Sequence, residues 1–220
     1  MRFLNKFTLG LVFLLTLGFA GAAFANTEAN QEILKQAAEA YNAKDFAKAK
    51  KLLKPLADKN DLMATYAMGM MAARGEGEKV NLKSAESWWT KSANAGNAHA
   101  QYLLGGLYSS GDEGIERDFT KARMWWEKAA ANKHGDAMYK LGILMFEGRG
   151  GTTDEEGAVK QFTAAAELGH PGAQFTLGRF YAEGRGGLKK DVKKAKEWFA
   201  KAASAGVKPA QQMLDELNKK

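Results

Sequence analysis

The chain has 220 residues, with 32 Lys and Arg against 25 Asp and Glu, 45% hydrophobic residues, 24 Gly, 3 Pro and no Cys. This is the composition of a globular protein, and the lack of cysteine excludes disulfide scaffolds, thiolate metal sites and cysteine nucleophiles. A formal net charge of +7 is a mild excess, giving weak, salt-screened attraction to anionic lipids, polymers or acidic partners.

In chain order, Arg2 and Lys6 precede an apolar run over residues 7–19 and the small-residue stretch Ala20-Gly21-Ala22-Ala23-Phe24-Ala25. These are the charged, apolar and Ala-x-Ala parts of a secretory leader, with cleavage expected after Ala25. A transmembrane anchor is the alternative, but the run is shorter than the roughly 20 residues of a span and contains Thr8, Gly10, Thr16 and Gly18. Residues 1–25 are therefore read as a signal peptide, and the rest as an exported, soluble protein, periplasmic or secreted, with no membrane span. Nucleic acid is not an expected partner, because the lysines are spread along all the helices and the protein is exported.

Residues 26–60 read as a capping helical hairpin, in which Pro55 predicts a kink or an early stop of the second helix. From residue 61 the sequence repeats itself. Gly69, Gly105, Gly142 and Gly178 each follow a Met or Leu at intervals of 36, 37 and 36 residues. Ala64, Ala100, Ala137, Ala173 and Ala210 form a second column, and Gly75, Gly111, Gly148 and Gly184 a third. Asn81, Asp118, Asp154 and Asp191 follow, then Ala85, Ala122, Ala158 and Ala195. Tandem aromatics Trp88-Trp89, Trp125-Trp126 and Trp198-Phe199 close the unit, with Gln161-Phe162 as a degenerate copy. A fixed period of this length signals a repeat architecture.

Each column has a physical reading. Helical spacing over residues 64–73 predicts a first helix, whose glycine admits a neighbouring helix at close range. Gly75 and its equivalents end that helix in a left-handed residue. Asn81, Asp118, Asp154 and Asp191 cap the start of a second helix, whose buried stripe in the first copy is Ala85, Trp89 and Ala93. Gly96, Gly169 and Gly206 stop it; Lys133 takes that place in the second copy, which shifts the expected stop to Gly135. The repeats are drawn at 61–96, 97–133, 134–169 and 170–206, with a capping helix at 207–220.

The columns resemble the Sel1-like repeats, relatives of the tetratricopeptide repeats. The likeness is plainest from Ala173-Gln174-Phe175-Thr176-Leu177-Gly178 through Lys194-Ala195-Lys196-Glu197-Trp198-Phe199-Ala200-Lys201-Ala202-Ala203. It implies an all-α fold, a right-handed α-solenoid of antiparallel helix pairs. It also implies that first helices line a concave binding surface. Tyr66, Tyr102, Tyr139 and Phe175, three residues before each column glycine, would then point partly into that surface, as anchors for a partner or as packing residues. Met70, Ile143, Phe146, Arg179 and Glu183 are candidate contacts on the same face.

No catalytic constellation assembles. His-Glu-x-x-His, Gly-x-Ser-x-Gly, Ser-x-x-Lys and the phosphate-loop pattern are all missing. His99, His134 and His170 read as turn residues at neighbouring repeat positions, the other reading being metal ligands or a pH sensor. Asp154-Glu155-Glu156 reads as compensation of a helix dipole and the tryptophans as core. We expect no catalytic residues, metal or cofactor. The expected function is non-catalytic binding of a partner protein or peptide, as adaptor or regulator of an envelope process. The resemblance also admits an immunity protein neutralising a secreted toxin such as a phospholipase, and an envelope enzyme among the possible partners. A cell-wall or β-lactam hydrolase, an activity of some cysteine-rich relatives, fits less well without their cysteines.

Overall fold

The computed structural model describes residues 28–112 and 114–219; the leader expected at 1–25 lies outside them. The described residues form eleven helices and no sheet. The chain divides between Arg117 and Asp118 into two compact units. In the first are α1 (Glu28–Asn42), α2 (Phe46–Asp58), α3 (Leu62–Arg74), α4 (Leu82–Asn94) and α5 (Ala98–Ser110). In the second are α6 (Phe119–Ala131), α7 (Gly135–Glu147), α8 (Glu155–Glu167), α9 (Pro171–Glu183), α10 (Val192–Ser204) and α11 (Lys208–Asn218). Within each unit every helix packs on the next, an all-α repeat fold.

Side-chain caps start the second helices. Asn81, Asp118, Asp154 and Asp191 accept the backbone N–H of Ser84, Lys121, Gly157 and Lys194 at 2.9, 2.9, 2.7 and 3.0 Å. Asn81, Asp154 and Asp191 also donate their own N–H back to Ala72, Met145 and Tyr181 on the preceding first helix, which closes the glycine loop. The loop can turn so tightly because Gly75, Gly148 and Gly184 are left-handed, at φ 68°, 67° and 71°.

In the first, third and fourth repeats the column glycine serves the packing of the repeat on itself. A Cβ on Gly142 would lie 2.6 Å from Cε1 of Phe162, and one on Gly178 2.7 Å from Cδ1 of Phe199. Gly69 meets the Trp89 indole in the same way. The aromatic ring of the second helix is thus seated on the bare backbone of the first. Repeats are joined in turn by buried glutamines: Gln101 donates to the Ala93 carbonyl at 2.9 Å, and Gln174 to that of Ala166 at 3.2 Å. These carbonyls lie at the end of the preceding helix, where each also accepts a backbone N–H from the glycine that follows, Gly96 or Gly169, so the glutamine takes up the second lone pair.

Three expectations are corrected. Lys133 does not move the stop of α6 to Gly135. It adopts φ 60° itself, as do Lys44 and Asn60, and α6 ends at Ala131. Pro55 does not stop α2, which runs on to Asp58; in the last turn its missing N–H removes one hydrogen bond, and its ring is exposed. Gly111 has φ 61° but ψ 126°, outside the left-handed helical region, because an Asp112–Ile115 bridge shapes that loop.

The cap geometry predicts that Asp191→Ala lowers stability by about 1 kcal/mol, measured by chemical denaturation. Gly178→Ala is expected to cost about 1–3 kcal/mol through overpacking against the fully buried Phe199 ring. An unchanged denaturation midpoint for Gly178→Ala would refute the ring-on-glycine account.

Candidate partner-binding site

In the first unit the predicted contact column is spent on packing. Tyr66 is 5% and Tyr102 6% exposed. The Tyr66 ring lies 6.4 Å from that of His99. Burial pushes the Tyr66 hydroxyl up to about 12, against a smaller downward pull from the Arg74 charge. Met70, expected as a variable surface contact, is 1% exposed, because α3 is buried along nearly its whole length.

In the second unit the column is half-buried and bridges neighbouring helices. Tyr139 on α7 stacks on His170 at 4.4 Å and tilts against Phe162 of α8 at 5.8 Å. Phe175 on α9 packs on Phe199 of α10 at 5.7 Å. His170 is more than a turn residue. Its Nδ1 accepts the Ala173 N–H at 3.0 Å, so it caps α9, while its Nε2 lies 3.2 Å from Asp136 Oδ1. His134 caps α7 likewise through Ala137 at 3.3 Å. His99 falls out of this column, inside α5, where Asn97 is the cap.

The remaining candidates converge. A cavity of about 180 Å³ is lined by Ile143 and Phe146 of α7, Phe162 of α8, Thr176, Arg179 and Phe180 of α9, and Arg185 of the following loop. Phe162 and Phe180 are buried and meet edge to face at 5.7 Å; Phe146 tilts against Phe180 at 5.4 Å. Arg185 is placed by the left-handed Gly184, which turns the chain so that the Arg185 N–H returns to the Phe180 carbonyl at 3.1 Å. Its guanidinium lies 4.7 Å from the Phe146 ring centroid and 5.7 Å from that of Phe180.

Glutamates share the two guanidinium groups at the rim. Arg179 reaches Glu183 at 3.4 Å; Arg185 reaches Glu155 at 3.6 Å and Glu183 at 3.9 Å. These side chains are 41–51% exposed. Exposed pairs at such distances contribute about 0–1 kcal/mol, so a competing carboxylate displaces them at little cost. Small-molecule pockets usually span roughly 300–1,000 Å³. At about 180 Å³ this groove is smaller.

Sequence reasoning named Ile143, Phe146, Arg179 and Glu183 but missed Phe162, Thr176, Phe180 and Arg185 as companions. Arg185 stood in the visible Gly184-Arg185-Gly186-Gly187 loop; its fold onto α8 was not readable there. A further polar cluster in the first unit is structural. Tyr41 donates to Glu76 Oε1 at 2.6 Å and accepts from Arg74 at 2.9 Å, holding the first hairpin to the loop after α3. Burial and the Glu76 hydrogen bond push the Tyr41 hydroxyl up to about 12. Among the described residues no group of three or more His, Asp or Glu is placed to hold a metal ion.

The Sel1 repeat family model matches residues 62–97, 98–134, 135–170 and 171–207, and the chain belongs to this family. Its members are generally protein–protein interaction scaffolds without catalytic activity. A Sel1 repeat protein from Oxalobacter formigenes is similar at 32% identity and a TM-score of 0.77, over 82% of this chain and 74% of that one. A protective antigen of uropathogenic Escherichia coli displaying an SLR fold is 28% identical, with a TM-score of 0.73 over 76% of this chain. This chain spans only 36% of the length of that antigen. No curated protein matches the chain.

The buried hydroxyl of Tyr66 predicts an alkaline dependence of stability. Unfolded tyrosine ionises near 10.0 and the folded Tyr66 near 12, so its contribution is whole below pH 10 and is lost as pH rises towards 12. Tyr66→Phe is expected to flatten part of that decline in denaturation midpoints taken across this range, with Tyr41 supplying another part.

Proposed function

We propose that this protein is an exported adaptor or regulator that binds a partner protein or peptide in the groove between α7 and α9. The observation that carries the reading is the pairing of an apolar seat, Ile143, Phe146 and Phe180, with the half-exposed guanidinium groups of Arg179 and Arg185. Repeat proteins of stacked helix pairs use such continuous faces for binding, and an aromatic and arginine cluster is the usual composition of a binding hot spot. The partner's apolar side chain enters the seat while its carboxylate takes over the arginines from Glu155 and Glu183. Export rests on the charged, apolar and small-residue order of residues 1–25.

The full chain, used as bait in an envelope extract at moderate salt, is expected to retain one protein in fixed ratio. Phe146→Ala and Arg179→Glu should each weaken retention about tenfold or more, equivalent to about 1.4 kcal/mol. Arg179→Glu should leave the melting temperature nearly unchanged, since the guanidinium is half exposed. Retention equal to wild type in both variants would remove the groove from this reading. Capture of a toxin whose activity disappears at an equal ratio would replace the adaptor role by an immunity role.

A further inference from the structure

Charge is divided unevenly between two helices of the second unit. α8 is preceded by Asp154, begins with Glu155 and Glu156, and carries Lys160 as its one cation. α10 and its lead-in carry Lys189, Lys190, Lys193, Lys194, Lys196 and Lys201 against Asp191 and Glu197. Asp191 is already engaged in capping the helix. α10 buries Ala195, Phe199 and Ala202, and at 3.6 residues per turn Lys193, Glu197 and Lys201 fall on the opposite side, with Lys194 and Lys196 flanking them. Lys189, Lys190, Lys193 and Lys196 have no carboxylate partner among the described residues. Such a face is self-repelling until an extended anion covers it.

The aromatic residues beside these lysines decide which anion fits. The Lys194 ammonium lies 5.2 Å over the Tyr181 ring, and that of Lys201 4.1 Å over Trp198. Single-stranded nucleic acid needs open aromatic faces on which bases stack, and here lysines occupy them. Val192, at the start of the helix, is 40% exposed among the cations. A cluster of lysines on the exposed side of a helix whose apolar side is committed to the core is a surface that attracts anionic headgroups from outside the bilayer. No helix of the described residues is long and apolar enough to cross a membrane.

We propose that the lysine face of α10 docks peripherally on an anionic phospholipid surface, its ammonium groups contacting headgroup phosphates. This surface is separate from the groove residues, and the proposal stands or falls without them.

Flotation of the full chain with vesicles of phosphatidylglycerol and phosphatidylcholine, beside vesicles of phosphatidylcholine alone, tests it. Binding to the anionic vesicles is expected to be about a hundredfold stronger or more at low ionic strength and to fall steeply with salt. The combined variant Lys189→Gln, Lys190→Gln, Lys193→Gln and Lys196→Gln should lose about fivefold per lysine, compounding to a hundredfold or more. Lys189, Lys190 and Lys193 are exposed and Lys196 is half-buried at the edge of the helix, and glutamine keeps part of each aliphatic stem, so circular dichroism of this variant should match wild type. A control with the same charge change in the first hairpin, at Lys44, Lys48, Lys51 and Lys59, should keep most of the binding. Residues 1–27 are common to all three proteins, and binding to the vesicles of phosphatidylcholine alone reports the apolar contribution of that segment. Equal losses in the two variants, or no loss in the first, would overturn the proposal. So would retention on double-stranded DNA or polyphosphate without binding to the anionic vesicles.

Discussion

The seating of an aromatic ring on a glycine is the contact on which the rest of this structure depends. Phe162 on Gly142 and Phe199 on Gly178, with Trp89 on Gly69, bring the two helices of a repeat closer than any side chain at the glycine position would allow. That approach fixes the rotation of each helix about its own axis. Once the ring faces inward, Ala158 and Ala195 are held at zero exposure beside it, and the opposite side of the second helix is left to solvent. The buried glutamines then set one helix pair on the next by donating to carbonyls at the end of the preceding helix.

Both candidate surfaces follow from that rotation. On the first helices, the side chains not used against the ring converge between α7 and α9, where Phe146, Phe180 and Arg185 frame an apolar seat. On α10, burying Ala195 and Phe199 obliges Lys193 and Lys201 to face away from the core. The same Gly-rich loop serves both, since it turns Arg185 onto the groove and then delivers Lys189 and Lys190 to the start of α10. A loop rich in positive-φ glycines is therefore the part of the repeat that assigns charge to a face.

The two units use one sequence column differently. Tyr66 and Tyr102 are core residues of the first unit, whereas Tyr139 and Phe175 are half-buried in the second and link adjacent helices. Equivalent register positions thus share a backbone role without sharing exposure. Exposure depends on the bulk of the neighbours: α3 is packed with Met68, Met70 and Met71, while α7 and α9 set Ile143 and Thr176 beside the groove.

The helical repeat was legible from residue spacing, because helix periodicity, cap residues and terminating glycines act over a few neighbouring residues and recur every 36 or 37, and its family was legible from the resemblance of those columns. Four of the groove's candidate residues were legible for the same reason, as positions on the first helices. Three things were not. Lys133 takes a positive φ that spacing assigns to glycine, because the surrounding turn outweighs the local steric cost. Met70 is buried, and Arg185 lies over Phe146, because both outcomes depend on side chains from helices distant in sequence. The sequence by itself determined which residues form helices and where the second helix of each repeat starts. Only the tertiary structure decided which faces stay open, since exposure is a property of the neighbours and not of the residue.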